Sequence, residues 1–152
     1  MRGSAKLHHI NVSVRDGERR LWGEHPANVA AECQKFIDAL KQDCEALDLR
    51  VAPGKVPDDP DDLHEIADVV AWAHNEWARI HPFGNGNGRT ARLLANMLLL
   101  RYGLPRLFRL RPRPVWPYAD AAMAGMDGDD APMAGYVMLM LRMWRPEEDD
   151  AP

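Results

Sequence analysis

The sequence predicts an all-α domain with one β-hairpin near its start, and three observations carry that prediction. Apolar residues recur at a period of 3.6 through most of the 152 residues. A single short stretch, around residues 7–22, alternates apolar and polar residues instead. Proline, glycine and aspartate cluster between the periodic stretches, where turns belong.

In the alternating stretch, Ile10, Val12 and Val14 suit one face of a half-buried strand. Asp16-Gly17 is a hairpin turn signal, and Arg19 to Trp22 can return as the second strand. A lone hairpin is marginal in water, so this one must lean on the helical body.

A first helix of about 22 residues begins near Pro26, a residue that suits a first helical turn because its missing N–H costs nothing there. Its apolar stripe is Val29, Cys33, Phe36, Ile37, Leu40, Cys44 and Leu47. Residues 50–62 form a connector rich in proline and aspartate, whose last aspartates suit the N-terminus of the next helix. That second helix runs from about Pro60 to Arg79 and buries Leu63, Ile66, Ala67, Val70, Ala73 and Trp77. A third helix spans about Asn87 to Tyr102, with Leu93, Leu94, Met97 and Leu98 as its apolar set, and Gly103 and Pro105 end it. Residues 106–114, with Arg106, Arg109, Arg111 and Arg113 among apolar residues and prolines, read as irregular and as a solvated edge. A short helix covers about Pro117 to Met126, a polar loop Asp127 to Asp130 follows, and a last helix covers about Pro132 to Trp144. Its spaced residues are Met133, Tyr136, Val137, Met140, Leu141 and Trp144.

Composition narrows the function. A net charge of −4 gives no support to bulk nucleic-acid binding. No apolar run approaches the ~20 residues that span a bilayer, and no secretory signal is visible. Cys33 and Cys44 lie eleven residues apart on one expected helix. That is about 16 Å along the axis, too far for a disulfide. They read as small core residues of a reducing compartment.

The chemistry concentrates in residues 81–92, His-Pro-Phe-Gly-Asn-Gly-Asn-Gly-Arg-Thr-Ala-Arg. A glycine-rich loop that opens a helix is an anion site, because the first turn leaves N–H groups unpaired and the dipole favours negative charge there. His81 can accept a proton near neutral pH. Backbone N–H groups at Gly86, Asn87 and Gly88 can point at phosphate oxygens. Arg89 and Arg92, three residues apart, can turn planar forks toward the same oxygens. Phe83 reads as a plug that fixes the loop to the core. His64 and His74 lack the i, i+4 spacing of a helical zinc site with His81 and read as solvated helix face.

This string resembles the signature of the Fic family, His-x-Phe-x-(Asp/Glu)-Gly-Asn-(Gly/Lys)-Arg-x-x-Arg. His81, Phe83, Gly86, Asn87, Gly88, Arg89 and Arg92 fall in register, and Asn85 stands where an acidic residue is usual. The resemblance implies a compact helical domain over residues 7–146 with a flap at 7–22, after an extension at 1–6 and before an acidic tail at 147–152. It implies transfer of AMP from ATP to a hydroxyl side chain of a target protein, with release of pyrophosphate. In that scheme His81 is the catalytic base, and Gly86, Asn87, Gly88, Arg89 and Arg92 bind the nucleotide phosphates, Arg92 reaching the terminal one. Mg²⁺ accompanies ATP, and Asn85 takes the metal position without a negative charge. The flap holds the target segment by strand addition.

Two readings stay open beside it: transfer of the terminal phosphoryl, against which Gly88 argues because relatives that do so tend to carry lysine there, and a nucleotide-binding or protein-interaction module. No serine or threonine has a glutamate four residues on, so the inhibitory motif of many relatives is missing and a separate antitoxin-like inhibitor becomes the expected partner. The expected setting is cytoplasmic, as a bacterial-type toxin, or secreted into a host cell as an effector.

Overall fold

One helix organises the others. In the computed structural model, which describes residues 13–16 and 19–145, the helix α2 (Pro60–Ile80) packs against α1 (Val29–Asp48), α3 (Asn87–Arg101), α4 (Tyr118–Met126) and α5 (Ala131–Met143). Being surrounded, α2 buries more than one stripe: Ile66, Ala67, Val70, Ala71, Ala73 and Ile80 are all covered. Its start follows from the sequence directly. Pro60 occupies the first turn, and the Asp59 carboxylate caps it by accepting from the Asp61 N–H at 2.9 Å.

The strands β1 (Ser13–Asp16) and β2 (Arg19–Trp22) pair antiparallel, with Ser13 opposite Trp22 and Asp16 opposite Arg19. The alternation expected at Ile10 and Val12 and the turn at Gly17 lie outside the described residues, as do the extension 1–6 and the tail 147–152. The exit of the hairpin is stitched to the end of α2. Arg79 on the last turn of α2 pairs with Glu24 at 3.0 Å, with Glu32 of α1 at 3.4 Å and with Glu76 at 2.7 Å. The Asn28 amide and the Arg79 guanidinium hold the Glu24 carboxyl below the usual carboxylate range.

Three expectations need correction. Pro26 sits in the turn before α1, which begins only at Val29 after Asn28. Ile37 is 52% exposed, because α1 is covered on one side and the next residue after buried Phe36 turns away by 100°. Leu93 and Met97 of α3 are also exposed, while Leu98 and Leu99 face the core. Residues 106–114 are irregular as expected, and the buried Asn96 amide holds them. It donates to the Phe108 carbonyl at 2.8 Å and accepts from the Phe108 N–H at 3.0 Å.

Helix α4 approaches α2 so closely at Gly125 that a Cβ there would lie 2.1 Å from the Asn75 side chain. Gly125→Ala should therefore cost about 1–3 kcal/mol by overpacking. Gly135→Ala in α5, whose Cβ meets nothing within 4 Å, should instead gain up to about 1 kcal/mol from helix propensity. Thermal unfolding of the two variants reads the opposite signs directly.

Candidate active site

The α2–α3 connection, residues 81–86, positions the expected site. His81 ends α2 in the left-handed region, at φ 53° and ψ 54°, with its N–H bonded to the Trp77 carbonyl. A non-glycine residue there costs about 1–2 kcal/mol, so the surroundings must hold it. One restraint is its own ring: Nδ1 lies 3.0 Å from the Ala78 carbonyl. A carbonyl only accepts, so Nδ1 carries the hydrogen and Nε2 the lone pair of the neutral ring.

Asn87 clamps the loop. Its Oδ1 accepts from the Phe83 N–H at 2.9 Å and its Nδ2 donates to the Phe83 carbonyl at 2.6 Å. Thr90, one turn on, accepts from the Trp77 indole at 2.9 Å, and its hydroxyl lies 2.9 Å from the Asn87 carbonyl and 3.2 Å from that of Gly86. The loop is thereby tied to α2 and α3 by side chains. Phe83 meets the Trp77 ring edge-on, with centroids 6.0 Å apart, which fits the expected plug.

The N-terminus of α3 has no side-chain cap, and Gly86 there has φ 93°. Among the described residues no acceptor meets the N–H of Asn87 or Gly88. A Cβ at Gly86 would lie 3.3 Å from Arg89, and one at Gly88 3.3 Å from Arg92. The glycines keep the space beside both guanidiniums open. Arg92 is only 4% exposed; Nη1 donates to the Tyr118 hydroxyl at 3.2 Å and Nη2 to the Leu110 carbonyl at 3.0 Å. Its buried Nε–H has no acceptor among the described residues. An anionic group beside this guanidinium would offset the cost of its unpaired buried donor.

One pocket of about 270 Å³ gathers His81, Asn85, Gly86, Gly88, Arg89 and Arg92. Asn87 is absent from its wall: the side chain is buried in the clamp, so its contribution there is structural plus one backbone N–H. Tyr118, Ala122, Met123 and Met126 of α4 form the less polar side. A larger cavity of about 1010 Å³ shares Asn85, Gly86 and Arg89 with it, but neither His81 nor Arg92 lines that one. His81 and the buried Arg92 belong together to the smaller.

Two residues that sequence reasoning set aside also reach this pocket. Arg113 is exposed, as expected of a solvated edge, and also lines it. His74, read as solvated helix face, is 1% exposed. Its Nδ1 lies 2.9 Å from Asn75 Oδ1, its Nε2 lies 2.9 Å from the Tyr118 hydroxyl, and its ring stacks on Phe108. Burial, with further contributions from Arg92 and Arg113, pushes its pKa down to about 4. His64 is exposed as expected. Among the described residues no cluster of three or more His, Cys, Asp or Glu side chains could hold a metal ion. Among the described residues no helix is long and apolar enough to cross a membrane.

Comparison with known proteins follows the same outline. The Fic/DOC family model matches residues 8–99. The chain is 35% identical over 92 residues to the protein adenylyltransferase Fic of Culex quinquefasciatus, covering 57% of this chain and 18% of that one. It is 53% identical over 47 residues to the protein of the same name from Nematostella vectensis, covering 31% and 11%. To protein adenylyltransferase fic-1 of Caenorhabditis elegans it is 40% identical over 92 residues, covering 49% and 18%. The chain thus spans less than a fifth of these relatives' length. A Fic domain containing signaling protein from Bacteroides thetaiotaomicron VPI-5482 superposes with a TM-score of 0.67 at 21% identity, over 90% of this chain and 50% of that one. That likeness concerns the fold.

The depressed His74 pKa makes stability depend on acid. Between about pH 6.5 and 4 the unfolded imidazole binds a proton that the folded one refuses. Stability is therefore full above pH 6.5 and falls as pH drops through this window, by about 3 kcal/mol in all. Urea unfolding at pH 7 and pH 4.5 should show this loss, and His74→Phe should lack it. An NMR titration placing the His74 midpoint near 6.5 would contradict it.

Proposed function

Because the chain belongs to the Fic/DOC family, we propose that it transfers AMP from ATP to a hydroxyl side chain of a target protein and releases pyrophosphate. The observation that carries this reading is the pairing, in one pocket, of a histidine with its lone pair fixed on Nε2 and a buried arginine with an unpaired N–H. Curated relatives named protein adenylyltransferase support it.

In the proposed step the target oxygen attacks the α-phosphorus and the bond from that phosphorus to the β-phosphate bridging oxygen breaks. Nε2 of His81 takes the hydroxyl proton, and the electron pair of the broken bond leaves on pyrophosphate. The N–H groups of Asn87 and Gly88 and the forks of Arg89 and Arg92 serve the phosphate oxygens. Ala122, Met123 and Met126 offer an apolar wall to the base. The hairpin, stitched through Glu24 to the turn before His81, is the edge on which a target segment adds as a strand.

No carboxylate lines the pocket, so its donor set does not suit a resident Mg²⁺ site. Mg²⁺ enters as part of the MgATP substrate, with exposed Asn85 as the neutral oxygen nearest in role to a metal contact. The target presents Ser, Thr or Tyr, and inhibition, where it occurs, comes from a separate antitoxin-like protein. A toxin acting in the cytoplasm or a secreted effector fits this chemistry.

With α-labelled ATP and a cell lysate, the wild-type protein should label a target. His81→Ala should lose at least about a hundredfold in rate while still binding ATP. Label from γ-labelled ATP alone would instead identify phosphoryl transfer, and ATP binding without any label would identify a binding module. Asn85→Asp should lower the Mg²⁺ concentration for half-maximal labelling; equal midpoints would reject the role given to Asn85.

A further inference from the structure

Arg92 can serve a phosphate only if its long side chain is aimed, and a buried chain of hydrogen bonds from α2, α4 and α5 ends on it. The chain starts at Asp130, the N-cap residue of α5, whose carboxylate accepts from Asn75 Nδ2 at 2.7 Å. A carboxylate can only accept, so this contact fixes the Asn75 amide with its oxygen toward His74. That oxygen in turn accepts from His74 Nδ1–H at 2.9 Å. The neutral ring then has its lone pair on Nε2, which accepts the Tyr118 O–H at 2.9 Å. With its hydrogen spent, the Tyr118 oxygen presents lone pairs, and Arg92 Nη1 donates to it at 3.2 Å. Every link runs one way. Reversing any of them would set two donors or two acceptors face to face.

We infer that His74 and Tyr118 are positioning residues for nucleotide binding, holding the Arg92 guanidinium in the pocket through this one-way chain. The inference rests on the proposed function, since it takes Arg92 to grip a phosphate of ATP. His74 is 1% and Tyr118 2% exposed, so water cannot replace a lost link. The charges around His74 favour its neutral form from two sides: Arg92 of α3 and Arg113 of the segment before α4. Asp130, the N-cap of α5, lies on the far side of Asn75, and Tyr118 of α4 meets the His74 ring edge-on. The carbonyl of Leu110 supplies the second fixed point for Arg92, at 3.0 Å from Nη2. Two fixed ends leave the Nε–H with no freedom to seek a partner of its own.

Calorimetric titration of the whole chain with ATP and with adenosine tests the role. Tyr118→Phe keeps the ring and removes the acceptor; ATP affinity should fall by about ten- to a hundredfold, and adenosine affinity should not change. In an Arg92→Ala background the same substitution should cost nothing further, because its effect travels through Arg92. Additive losses, or an equal loss toward adenosine, would overturn the inference. For a Tyr118→Phe protein that does not fold, His74→Phe and His74→Gln carry the test. The glutamine carbonyl can accept the Tyr118 O–H and should restore most of the ATP affinity that phenylalanine loses. Equal ATP affinity in the two would overturn the inference. A wild-type protein that binds no ATP removes both the proposed function and this inference. A wild-type protein that binds ATP no more tightly than Tyr118→Phe removes the inference alone.

Discussion

The six residues between α2 and α3, 81–86, must join two packed helices while carrying N–H and C=O groups that neither helix can pair. The Asn87 amide answers that constraint by bonding both polar groups of Phe83. The rest of the site depends on this clamp. It fixes where α3 begins, hence where the uncapped N–H groups point and where Arg89 and Arg92 leave the helix. Asn96 treats Phe108 in the same way about two and a half turns further along α3, and so fixes the segment that brings Arg113 to the pocket and the Leu110 carbonyl to Arg92. Two buried amides thus stand in for secondary structure where the chain has none.

Around these clamps, the polarity of the pocket is divided by element. The α3 terminus supplies N–H groups and arginines, while α4 supplies thioethers and alanine. The α2 end supplies His81, the proposed base, whose strained backbone is held by Ala78 within the helix and by the loop beyond. Arg79, two residues before it, joins the hairpin exit, α1 and α2 in one ion-pair cluster. The proposed base and the proposed target-holding strand therefore share a common anchor.

Much of this was legible in the sequence because it is written in local terms. Helix periodicity, Pro60, Gly103 and the Asp127–Asp130 loop locate the elements within a few residues of those observed. The signature of residues 81–92 locates the pocket. What could not be read depends on partners far along the chain. His74 is polar and therefore reads as solvated, yet its bond to Tyr118 crosses 44 residues. Arg113 faces solvent like the arginines around it, and only the path of the segment held by Asn96 also brings it to the pocket rim. Ile37 shows the reverse limit: a periodic stripe is wider than the arc that a single neighbouring helix covers.

The directional chain from Asp130 to Arg92 has a consequence for how such a sequence can drift. Each link fixes the proton on the next, so a change at one position is tolerable only if the new side chain, alone or with changed neighbours, keeps the order of donors and acceptors. Asp130, Asn75, His74 and Tyr118 sit on three different helical elements and share no local motif. They nevertheless act as one unit: divergent homologues that keep the arginine should keep the donor and acceptor order along the chain, with the same four residues or with substitutes that preserve it.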